Sequence, residues 1–120
     1  MARDDEEINR AAWKNALQAL TEEHEGYLAT IEVTELDLGD QLEAEQIPFS
    51  YVEYDPHDDA VSVGVGGLDG KYPVTLRHVV EHPQNVFVHT SDAGSVIIEV
   101  TSSDGTVTLI TLSARLELPS

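Results

Sequence analysis

The chain has 120 residues, no cysteine, 41% hydrophobic content and 23 Asp plus Glu against 6 Lys plus Arg, for a formal net charge of −17. That length supplies one domain, residues 1–120, with interior enough to fold without staples, and the missing cysteine excludes disulfides, thiolate metal sites and thiol nucleophiles. The charge argues against nucleic acid and anionic membranes as partners, because none of the six cations cluster into a basic face.

Asp4 and Glu7 have the spacing of a capping box, and the acidic run Asp4–Glu7 suits the positive end of a helix. The helix predicted from there carries Ile8, Ala12, Trp13, Ala16, Leu17, Ala19 and Leu20 on one broad face. Glu7, Arg10, Lys14, Gln18, Thr21 and Glu22 fall on the opposite, solvated face, and Gly26 ends the helix after Glu25. Trp13 lies on the apolar stripe and reads as a core anchor.

From Tyr27 the period becomes two: Tyr27, Ala29, Ile31 and Val33 mark a half-buried strand. The alternation slips near Thr34–Glu35, Leu38-Gly39-Asp40-Gln41 reads as a turn, and a long strand follows through Leu42, Ala44, Ile47, Phe49 and Tyr51. Pro48 cannot donate to a ladder, so this strand is expected to bend or to run along an edge there. Asp55-Pro56-His57-Asp58-Asp59 turns the chain into a hairpin with Val61, Val63 and Val65. Gly66–Pro73 reads as a flexible loop, and Leu76, Val79 and Val80, stopped by Pro83, predict a short helix over Val74–Glu81. Val86 and Val88 open a strand, Asp92-Ala93-Gly94 turns it, and Asp104-Gly105 joins Val96, Ile98 and Val100 to Val107, Leu109 and Leu112 in a last antiparallel pair. The expected architecture is α+β: an N-terminal helix packed on a strongly curled, barrel-like antiparallel sheet of about six strands, with a short helix between strands 3 and 4.

Three spaced motifs carry a resemblance. Leu38-Gly39-Asp40-Gln41 with Glu43-Ala44-Glu45 and Pro48, then Tyr54-Asp55-Pro56 with Asp58-Asp59, then His78 to Pro83, occur in that order and span most of the chain. In this the sequence resembles domain-of-unknown-function family 5335, short prokaryotic proteins, with Gln46 standing where the family pattern has tryptophan. The resemblance implies no activity.

Four constellations bear on chemistry. His78-Val79-Val80-Glu81-His82 spells the H-x-x-E-H pattern, in which a helix presents two histidines to zinc and the glutamate activates water. Pro83 ends such a helix at once, which disfavours a peptidase and leaves His78 and His82 as candidate metal ligands, joined by a carboxylate such as Glu99. Asp37, Asp40, Glu43, Asp55, His57, Asp58 and Asp59 would suit a hard cation if the two turns converged, but they flank a long strand and read as solvated turns. Gly64-Val65-Gly66-Gly67 lacks the lysine and helix of a phosphate loop, and no G-x-S-x-G elbow exists.

With only Lys14 and Lys71 as lysines and acid in every segment, the composition is that of a protein for a salt-rich, halophile cytoplasm, where counterions screen self-repulsion. The expected function is a non-enzymatic interaction or structural role without a cofactor, with self-association through a proline-bearing edge strand. The alternative is a small metal-binding protein or metal-dependent hydrolase using His78 and His82.

Overall fold

The computed structural model describes residues 6–35, 37–67, 76–91 and 93–114. In chain order they form β1 (Glu6–Glu7), a 3-10 turn (Arg10–Ala12), α1 (Trp13–Glu23), β2 (Leu28–Glu35), β3 (Gly39–Asp55), β4 (Ala60–Val65), β5 (Leu76–Glu81), β6 (Pro83–Thr90), β7 (Val96–Ser102) and β8 (Val107–Ser113).

The helix begins later than the acidic run suggested. Glu6 and Glu7 are extended and pair with Val88 and Phe87 of β6, and the Glu7 carboxylate accepts from Asn85 Nδ2 at 2.8 Å. The Asp4 half of the expected capping box lies outside the described residues. Asn9 caps the 3-10 turn that leads into α1, its Oδ1 accepting from the Ala11 amide at 3.0 Å. α1 then buries Trp13 and Leu17, the centre of the predicted stripe, and the chain leaves it through Gly26 at φ 85°.

The eight strands are antiparallel in the order β1-β6-β7-β8-β2-β3-β4-β5. The sheet curls but is not closed, so the barrel-like shape is not reached, and eight strands replace about six. One added strand is β1. The other is β5, in place of the helix expected over Val74–Glu81: Leu76 to Glu81 lie extended against Val65 to Ala60 of β4. Val80 is buried while Val79 is exposed, so their adjacency reflects two faces of a strand and not one stripe of a helix. Part of the Gly66–Pro73 loop also lies outside the described residues.

β3 is the long bent strand the sequence announced, but it is interior. Its first half pairs with β2 and its second half with β4, the change coming at Pro48 beside an irregular register and a positive φ of 48° at Gln46. Pro48 loses nothing by lacking an amide, and its carbonyl accepts from Gly66 N at 2.7 Å. The bend turns the second half of β3, with β4 and β5, over the rest of the sheet. Between the layers lie Ile31, Val63, Val86, Ile98, Ile110 and Leu112, each at most 1% exposed, and burying each such side chain contributes about 1.5–3 kcal/mol. β4 is buried along its whole length. Gly64 is required there, because a Cβ would collide with the Tyr51 ring laid across it.

Candidate functional site

The bend in β3 and the tight corner between β5 and β6 bring the second and third sequence motifs together. Asp59 at φ 50° ends the β3–β4 turn and His82 at φ 53° makes the β5–β6 corner, where the His82 amide donates to the Asp59 carbonyl at 2.9 Å. Around the Asp59 carboxylate, the Tyr54 hydroxyl donates to Oδ1 at 2.8 Å, Arg10 Nη1 reaches the same oxygen at 3.2 Å, and His82 Nδ1 lies 3.6 Å from Oδ2. The Arg10 guanidinium also donates to the Pro83 carbonyl at 2.8 Å and stacks 4.3 Å from the centre of the Trp13 ring. Trp13 meets Tyr54 edge to face and donates its indole N–H to the Ile8 carbonyl.

This network holds four segments in register. The Tyr54 hydroxyl holds the Asp59 carboxyl below the usual carboxylate range against the opposing effect of desolvation, with lesser help from Arg10 and His82. The same hydrogen bond, with burial, pushes the Tyr54 phenol up. Both hydrogen bonds fall on Oδ1, and a carboxylate held ionised below its usual range is a weak general base. Arg10, assigned by periodicity to the solvated face, is the residue that sequence reasoning missed. The available signal was a single arginine next to Trp13 in a chain with few cations.

The predicted metal ligands are not brought together. On a helix His78 and His82 would be neighbours; here His78 lies within β5 and His82 at the corner after it, its ring on the Asp59 side. His78 shares the inner face of β5 with buried Val80, where burial lowers the pKa of its imidazole against the opposing charge of Glu43. Glu99 alternates with Ile98 and Val100, both fully buried, and so points to the outer side of β7. The acidic turns remain at opposite ends of β3: Asp40 takes the Thr34 hydroxyl at 2.7 Å, Asp55 caps the turn amide of His57 at 2.9 Å, and Asp58 meets the exposed His57 ring at 3.2 Å. Among the described residues no three His, Cys, Asp or Glu side chains gather as a metal set.

What the fold leaves open is an edge. Among the described residues β5 pairs only with β4. The His82-to-Asp59 bond fixes the phase of that ladder: in an antiparallel pair the bonded positions alternate, so Val80, His78 and Leu76 face β4, whereas the amides and carbonyls of Glu81, Val79 and Arg77 point outward. Beside them runs a cleft of about 360 Å³, whose far wall carries Glu35 of β2 and Asp104 and Thr108 at the β7–β8 hairpin. Asp104 is drawn down to about 2 by the Ser102 hydroxyl and the Thr106 amide, so this wall stays negative. Thr108 Oγ1 is buried without a partner among the described residues.

A model described as a family of unknown function, DUF5335, matches residues 4–120. A protein of Aquifex aeolicus, named only as uncharacterized, is 26% identical over 112 residues, covering 93% of this chain and 95% of its own. No solved structure matches.

Proposed function

The chain belongs to the DUF5335 family, and we propose that it is a non-enzymatic interaction protein of a salt-rich cytoplasm that engages its partner through the open edge of β5. The observation that carries this reading is the edge itself: three successive outward-facing residues, Arg77, Val79 and Glu81, offer a ladder that an extended strand completes. The opposite edge of the sheet is blunted by β1, two glutamates long. The engagement of Asp59 by Tyr54 and Arg10 in a contact between segments supports a role without catalysis, and the charge of −17 supports the salt-rich setting.

A photo-crosslinking residue placed at Val79, compared with one at exposed Gln18 on the helix, tests the reading in cells of the source organism. An adduct of defined mass from position 79 and none from position 18 is expected. No adduct at position 79, or the same adducts at both, would overturn it.

A further inference from the structure

We infer that the occupant of the β5 edge is a second copy of this chain, joined by antiparallel β5–β5 pairing with its two-fold axis at Val79; the inference rests on the edge reading above.

Three observations converge on that register. The outward amides belong to Arg77, Val79 and Glu81, and an axis through Val79 sets Val79 against its own copy and Arg77 against Glu81 twice over, so every outward position meets an outward position. The side chains then agree with the backbone. Val79, one of three exposed large hydrophobic residues among those described at 42% exposure, meets an equal partner across the axis, and each Arg77 meets a carboxylate. Shifting the axis by one residue sets Arg77 or Glu81 against Val79, and shifting it by two sets Arg77 against Arg77 or Glu81 against Glu81, so neighbouring registers lose both ion pairs.

The Arg77 side chain adds the third observation. Its guanidinium lies along the outer face 3.4 Å from Ser62 Oγ, which leaves its other donors free for a carboxylate across the axis. At the other end of the sheet β1 presents Glu6 and Glu7, which repel an equally acidic copy, so association through β5 closes at two chains instead of growing into a fibre.

Sedimentation equilibrium of the full chain in about 1 M KCl, where long-range repulsion is screened, tests the assignment with charge swaps at exposed positions. The wild type is expected as a dimer of the 13.1 kDa chain. Arg77→Glu and Glu81→Arg should each weaken it about tenfold by placing like charges opposite one another, an equimolar mixture of the two variants should recover it, and so should the double swap. A monomer at all concentrations, or a dimer indifferent to the swaps, overturns the inference. The photo-adduct at position 79 separates the two levels of claim: a mass other than that of two chains overturns the second-copy assignment and keeps the edge reading, whereas no adduct removes both.

Discussion

Asp104 shows how much a single carboxylate can do from inside a turn. Its Oδ1 accepts from the Ser102 hydroxyl at 2.6 Å and from the Thr106 amide at 2.9 Å, and these bonds bring its pKa from 3.8 to about 2. An acid whose pKa is lowered by folding stabilises the fold fully above its unfolded value and loses that contribution as pH falls through the folded one. Asp104→Asn should therefore melt below the wild type at pH 7, and the gap should close as pH falls from about 4 to about 2; thermal midpoints of the two proteins across that range check it. A gap that is constant with pH would show that the side-chain charge plays no part. This turn was legible because Asp-Gly between alternating runs has a local cause. Arg10 was not, because its partners Tyr54, Asp59 and Pro83 lie 44, 49 and 73 residues away, and no periodicity carries that information.

At the level of elements, α1 takes the place of a missing strand. Beyond Pro48, β3 has left β2, and its free backbone would be unsatisfied without the Thr21 hydroxyl, which accepts from Val52 N at 2.9 Å and stands 2.9 Å from Val52 O and 3.0 Å from Leu17 O. Thr21→Val keeps the shape and removes the acceptor, leaving a buried amide without a partner, so it should cost about 1–3 kcal/mol, read from urea unfolding; a neutral substitution would show that the helix covers that edge by packing alone. The stripe on α1, the alternation in β2, β7 and β8 and the bend in β3 could all be read from residue spacing. β5 could not, because Leu76, Val79 and Val80 fit a helical face as well as they fit two faces of a strand, and six residues are too few to arbitrate. The difference bears on the site: a helix would set His78 and His82 one turn apart on one face, whereas here His78 lies on the strand and His82 at the corner after it.

Over the whole molecule the acidic excess sets the working conditions. With −17 spread over 120 residues, self-repulsion opposes the compact state until salt shortens its range, to about 3 Å near 1 M. The thermal midpoint should accordingly rise by several degrees between about 0.1 and 2 M KCl, and a midpoint unmoved by salt would argue against a salt-rich setting. The same global view exposes an ordering in time. The N-terminal strand closes on β6, Glu6 against Val88, and Arg10 is held by the Pro83 carbonyl. A chain emerging residue by residue from the ribosome can seat α1 on β3 once about thirty further residues have followed, but β1 has no strand to pair with until about eighty have. The first of these elements to be made is thus among the last to be secured, and a nascent chain halted before Pro83 would carry a helix already laid on β3 with Glu6, Glu7 and Arg10 still lacking their β6 partners.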